Sequence, residues 1–316
     1  MATNGIHHVT AISGPARRNL DFYARTLGLR LVKKTVNFDD PGTYHLYYGD
    51  EAGRPGTILT FFPWEHAAPG RLGVGETSET AFRVPTASIG WWAHRFVASG
   101  LQHDTPVKAF GETVLPFRDL DGTRLALVGV DGAEGEPAWA VEGIPAEHAI
   151  RGLYGITLLV ADAGPTAAIL TDVFGFAETA REGSIVRLST SAGEGGSVTL
   201  QGAGDLPRGR PGGGTVHHVA FRAPDDATQL AMVERLRAGH GIVTTEQKDR
   251  NYFRSVYFRE PGGVLFEIAT DVPGFTVDER IDALGEALML PEQYEADRAA
   301  IEAALPDLGL LQIPAA

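Results

Sequence analysis

The chain of 316 residues contains no cysteine. Disulfides, thiolate metal ligands and a thiol nucleophile are therefore excluded, and a bound metal must take its donors from His, Asp or Glu. No apolar run is long enough to span a bilayer, so no membrane partner is expected. Basic residues are the minority: 27 Lys and Arg stand against 40 Asp and Glu, a formal net charge of −13. That balance disfavours nucleic acid as a partner. The N-terminal Met1-Ala2-Thr3-Asn4 lacks the basic and apolar parts of a secretion signal, so a cytoplasmic location is expected. What is present, 43% hydrophobic and 21% charged residues, suits one large or two ordinary globular domains.

The sequence repeats itself. Four amphipathic helix-like segments each run into a glycine between apolar residues: Ala16 to Leu27 before Gly28, Ser88 to Ser99 before Gly100, Pro165 to Phe174 before Gly175, and Ala227 to Ala238 closing near Gly239 and Gly241. A glycine just past a helix end is the expected left-handed stop. One strand-like run precedes each helix: His7–Ile12, Thr80–Val84, Gly155–Val160 and His218–Arg222. About three more follow, the last entered through a glycine turn such as Pro55-Gly56-Thr57 or Pro261-Gly262-Gly263. A strand–helix–three-strand unit leaves one sheet face open and needs a partner to cover it.

The stretch from Arg250 to Asp271 reads as two strands joined at Glu260–Gly263. Glu267 interrupts the second between Phe266 and Ile268, where a carboxylate must be paired, hydrogen-bonded or on a metal. Only the first strands of units one and four carry histidine, as the doublets His7-His8 and His217-His218. One histidine from each doublet together with Glu267 would make a facial triad with open coordination positions, the arrangement of non-haem Fe(II). A regular strand turns only one ring of each doublet inward. Pairing unit one with four, and two with three, brings both doublets and Glu267 to one cavity within a single chain. His45, His66, His94, His103, His148 and His240 have no repeat equivalents and read as surface or packing residues.

The repeat resembles the βαβββ module of the vicinal-oxygen-chelate superfamily, which includes glyoxalase I, extradiol dioxygenases and bleomycin-resistance proteins. The implied fold is α+β, four modules forming two barrel-like domains. Modules over 1–75 and 214–272 form the metal-bearing barrel; those over 76–140 and 150–205 form a non-catalytic one; 273–316 is a helical C-terminal tail. Several segments narrow the resemblance to bacterial hydroquinone-type ring-cleaving dioxygenases. They are His7-His8-Val9-Thr10, Tyr44-His45-Leu46-Tyr47-Tyr48, Gly90-Trp91-Trp92, Arg250-Asn251-Tyr252-Phe253, Ser255-Val256-Tyr257 and Pro261 to Glu267.

That resemblance implies His8, His218 and Glu267 as Fe(II) ligands, with Mn(II) as the alternative ion, and Tyr257, Arg250, His217 and His7 as catalytic pocket residues. The implied activity is O2-dependent opening of a hydroquinone-type aromatic diol, the diol and O2 being the partners, with a homo-oligomer left open. Extradiol cleavage of a catechol is the nearest alternative. A glyoxalase-like isomerase or thiol transferase would take a fourth protein ligand from unit one, where counting from the turn gives the apolar Phe61. A non-enzymatic drug-binding protein needs neither four modules nor a triad.

Overall fold

The computed structural model describes residues 4–309. Each of the four units folds as a strand, a helix and three strands. The first holds β1 (Ile6–Ser13), β2 (Arg30–Asn37), β3 (Asp40–Gly49) and β4 (Ile58–Pro63). The second holds β5 (Glu76–Pro85), β6 (Val107–Ala109), β7 (Glu112–Arg118) and β8 (Arg124–Val130). The third holds β9 (Leu153–Val160), β10 (Ala177–Glu182), β11 (Ile185–Ser189) and β12 (Ser197–Gly202). The fourth holds β13 (Thr215–Ala223), β14 (Lys248–Asp249), β15 (Phe253–Arg259) and β16 (Leu265–Pro273). Two curled eight-stranded sheets result, ordered β14-β15-β16-β13-β1-β4-β3-β2 and β10-β11-β12-β9-β5-β8-β7-β6. Unit one is thus joined to unit four, and unit two to unit three, through antiparallel first strands.

The helix stops are as the glycines imply: Gly28, Gly100, Gly175 and Gly241 all take positive φ between 65° and 73°. The first helix differs from the expected continuous α-helix. It is α-helical only over α1 (Ala16–Leu20) and widens to π-helix over Asp21–Thr26. The wider turn buries Phe22, Tyr23 and Ala24 together. Tyr23 then donates its hydroxyl to Asp119 at 2.8 Å, tying unit one to unit two.

One hydrophobic core runs through both sheets, from Val9 and Phe61 to Phe82, Leu158 and Phe266. A smaller apolar cluster lies inside the first barrel and includes Tyr47, Ala220, Tyr252, Phe253 and Phe275. The tail beyond β16 is less helical than expected. It forms 3-10 turns at Phe275–Val277, Ile281–Ala283 and Glu292–Asp297 and the short helix Arg298–Ala304; residues 310–316 lie outside the described part. The fully buried Lys33 pins it to β2 through Asp278 at 2.6 Å and Glu279 at 2.5 Å. Tyr294 donates to the backbone carbonyl of Phe38 at 2.7 Å. Among the described residues no helix is long and apolar enough to cross a membrane.

The turn between β15 and β16 is held by a second buried carboxylate. Glu260 accepts from the backbone N–H of Gly262 and of Val264, each at 2.8 Å, and from the Thr166 hydroxyl at 2.6 Å. Thr166 lies on the helix of unit three, Ala163–Asp172, so this one side chain fastens the last hairpin to the other half of the molecule. Glu260→Ala would strand three donors, two of them buried, and should cost about 2–4 kcal/mol of stability. Urea unfolding measures this, and an unchanged midpoint would contradict it.

Candidate metal centre

The centre stands on three neighbouring strands, β16, β13 and β1. Register places His8 opposite Ala220, and Ala220 beside Glu267, so the three form a row across the sheet. His218 precedes Ala220 by two residues and shares its face. Ala220 puts only a methyl between His8 and Glu267, leaving the space above it to the longer side chains. Nε2 of His8 lies 3.4 Å from Oε2 of Glu267, and Nε2 of His218 lies 2.9 Å from the same oxygen. One donor atom from each residue falls within 4.8 Å of the other two.

All three side chains are buried. Burial alone would raise the Glu267 carboxyl, but His8 and His218 outweigh it and hold the group well below the usual carboxylate range. Its Oε1 accepts a short hydrogen bond from Ser255. Among the described residues its Oε2 has no hydrogen-bond donor. A buried anionic oxygen left without a donor, with two imidazole nitrogens aimed at it, is a donor set that fits a divalent cation.

The histidine doublets depart from the expected alternation. The β1–β13 register slips by one residue between Ile6 and His8 and again between Thr10 and Ala11. The unpaired extra residues are His7 on one strand and His217 on the other, so each doublet contains a β-bulge. A bulge re-aims a side chain, and both rings of each doublet meet instead of facing apart. Nδ1 of His7 lies 2.9 Å from Nδ1 of His8, and Nδ1 of His217 lies 2.7 Å from Nδ1 of His218. A histidine that binds a metal through Nε2 carries its proton on Nδ1, so each bulge histidine is the acceptor that would fix its neighbour's tautomer. His7 is buried behind His8 and does not line the cavity; burial, then His8, lower its imidazole well below the ordinary value. His217 stands exposed at the cavity rim.

The cavity over the centre measures about 340 Å³. Its walls include Phe38, Tyr47, Phe62, Trp64, Phe253 and Tyr257, an aromatic lining matched to a flat ring. Tyr257 and Arg250 both line it. The Arg250 Nε donates to the Tyr257 hydroxyl at 3.4 Å, and its Nη2 lies 3.4 Å from Asp39 at the mouth. Burial, and next Glu267, raise the Tyr257 phenol above its ordinary value despite Arg250.

Two features of the site escape the sequence reading. His45, expected at the surface or in packing, lies buried in the cavity wall with Tyr47 beside it. The corner opposite Glu267 also shifts by one position. Thr10 pairs with Thr60 as Ala220 pairs with Glu267, so the counterpart of Glu267 is Thr60; Phe61 points into the core. Counting from the turn misses this because the two turns differ in length. Aligning the preceding strands would have found it: Tyr47 opposes Thr60 as Tyr257 opposes Glu267.

Known proteins resemble this chain over nearly its whole length. Residues 5–127 and 152–268 match the family model described as Glyoxalase/Bleomycin resistance protein/Dioxygenase superfamily. The chain is 47% identical to the "Putative ring-cleaving dioxygenase MhqO" of Bacillus subtilis, covering 96% of each chain. It is 31% identical to the "Chlorohydroquinone/hydroquinone 1,2-dioxygenase" of Sphingobium indicum, covering 92% of each. A crystal structure titled as a putative dioxygenase from Bacillus subtilis superposes with a TM-score of 0.92 at 45% identity, covering 96% of this chain and 97% of the other. The chain therefore belongs to the glyoxalase/bleomycin-resistance/dioxygenase superfamily, the vicinal-oxygen-chelate fold, and within it to the branch of ring-cleaving dioxygenases.

Proposed function

We propose that the protein is a non-haem Fe(II)-dependent dioxygenase that opens a hydroquinone-type aromatic diol, both atoms of O2 entering the product. The observation that carries this reading is the donor set of His8, His218 and Glu267, gathered on one side of an aromatic-lined cavity. A two-histidine, one-carboxylate face suits Fe(II), and Mn(II) accepts the same donors. His8 and His218 would hold the ion through Nε2, and Glu267 through Oε2. When bound, it supplies a Lewis-acidic template for a substrate oxygen and O2.

The surrounding side chains divide the remaining work. Arg250 brings a permanent positive charge to the cavity, suited to holding a phenolate oxygen. Tyr257, kept as a phenol by burial and by Glu267, can give its proton to an oxygen of the opening ring. His7 and His217 orient the two ligand imidazoles through their Nδ1 contacts. The corner where a glyoxalase-like isomerase would place a fourth ligand holds Thr60, whose hydroxyl is engaged by His45 and Thr10. The name of the Sphingobium relative supports a para-diol as substrate.

Three outcomes are expected. The purified protein should hold about one Fe(II) or Mn(II) per chain by elemental analysis. Glu267→Gln should lose most of it and the exposed His66→Ala none; full occupancy in a His8→Ala, His218→Ala double variant would remove the assignment. Tyr257→Phe and Arg250→Ala should keep the metal and lower turnover by roughly 10- to 1,000-fold; unchanged kinetics in both would return them to structural roles. After anaerobic Fe(II) loading, an oxygen electrode should record uptake with hydroquinone, methylhydroquinone and chlorohydroquinones. Uptake with catechol alone would move the activity to ortho-diols. No uptake with any diol, together with turnover of a glutathione hemithioacetal, would overturn the reading.

A further inference from the structure

On the side of the cavity away from Ser255 and Glu267, β3 and β4 build a second polar group. His45 stands two residues before Tyr47 as Ser255 stands two before Tyr257, and it engages Thr60 as Ser255 engages Glu267. Nε2 of His45 lies 2.7 Å from the Thr60 hydroxyl, and its Nδ1 lies 2.9 Å from the hydroxyl of Tyr47. Thr60 in turn donates to Thr10 at 3.1 Å. All four side chains are buried, and the rings of His45 and Tyr47 lie against each other with centroids 4.1 Å apart.

The direction of this chain follows from counting protons. A threonine hydroxyl has one proton, and that of Thr60 goes to Thr10. Towards His45, Thr60 can only accept. The ring must then carry its proton on Nε2, which leaves Nδ1 bare. Tyr47 fills that bare nitrogen with its own O–H. The proton of Tyr47 is thereby committed away from the cavity, and its oxygen offers lone pairs alone. Among the described residues no other side chain hydrogen-bonds that oxygen. Burial, and next Tyr257 and Glu267, raise its phenol well above the ordinary range. Tyr47 is a fixed acceptor in the cavity wall, on the flank away from the Glu267 carboxylate, while Arg250 and Tyr257 offer donors to the same cavity.

We propose that Tyr47 recognises the second hydroxyl of the diol, accepting its proton in a hydrogen bond, and that His45 is the positioning residue that keeps Tyr47 an acceptor. This rests on the diol reading above and specifies it: the site selects a ring whose second substituent is an O–H donor, and discriminates against the corresponding ether. A site built to hydrogen-bond a hydroxyl rejects the analogue that lacks it.

The test compares hydroquinone with 4-methoxyphenol, which keeps the second oxygen but has no proton on it. Binding to the Fe(II)-loaded enzyme is measured anaerobically by calorimetry, so no turnover is required. The wild type should bind hydroquinone about 10-fold more tightly than 4-methoxyphenol. Tyr47→Phe should bring that ratio close to one with metal content unchanged. His45→Leu frees the Tyr47 proton to point into the cavity, so 4-methoxyphenol should gain affinity and the ratio should fall. His45→Gln, which can accept from Tyr47 and donate to Thr60, should restore it; a packing role alone would not separate the two His45 variants by ligand. Should His45→Leu fail to fold, Tyr47→Phe and His45→Gln still decide the matter. A wild-type ratio retained in Tyr47→Phe would overturn the assignment while leaving the diol reading intact. Failure of the loaded wild type to bind hydroquinone at all would overturn both.

Discussion

A carboxylate fixed inside a sheet with one oxygen unsatisfied constrains everything around it. Glu267 can be ionised there only if positive or metal-bound partners reach it from neighbouring strands. Its own hairpin offers the Ser255 hydroxyl, which covers one oxygen. The other oxygen needs His218 from β13 and His8 from β1, residues separated by most of the chain. Only a strand order that brings the first unit beside the last meets that need, and β16-β13-β1 is that order. The middle of the chain, units two and three, then closes a sheet of its own. The same chain topology therefore fixes the architecture and assembles the donor set, each of whose three members lies on a strand.

This explains what was legible in the sequence. Glycines at helix ends, strand runs in constant order and one misplaced glutamate are local signals, each with a local physical cause. Together they were enough to pair unit one with unit four. The bulges were not legible. β1 is buried at every one of its positions from Ile6 to Ser13, so no polar alternation marks which residue is extra. Period-two reasoning then turns His7 and His217 outward, whereas the register slip turns each back against its neighbour. The places of His45 and Tyr47 in the cavity wall were hidden for another reason. A strand histidine hydrogen-bonded to a threonine across the sheet has no sequence spacing to announce it, and turn-based counting pointed at Phe61 instead of Thr60.

The two halves of the first barrel illustrate how a repeat acquires an inside that is not symmetric. Equivalent strand positions carry Ser255, Tyr257 and Glu267 on one side and His45, Tyr47 and Thr60 on the other. The geometry is shared, but the charges differ. One side ends in an anion that fits a cation; the other ends in a neutral hydroxyl that ties down an imidazole. A ligand between them meets the donor set on one flank and a hydrogen-bonded network on the other, so it can be held in one orientation.

The second sheet separates what the fold requires from what the chemistry requires. Its central pair slips register in the same two places, leaving Ser78 and Tyr154 as the extra residues. With unit two laid on unit one, and unit three on unit four, the positions of His8, His218 and Glu267 hold Glu79, Gly155 and Thr199. The donor set is gone, yet the bulges remain. A bulge sacrifices ladder hydrogen bonds and increases local twist, and it accompanies the joining of two modules through their first strands in both sheets, with and without a metal donor set among the described residues. The histidine doublets then need no special backbone of their own. They occupy a kink that the fold already makes, and two adjacent histidines at such a kink give a candidate ligand together with the residue that orients it.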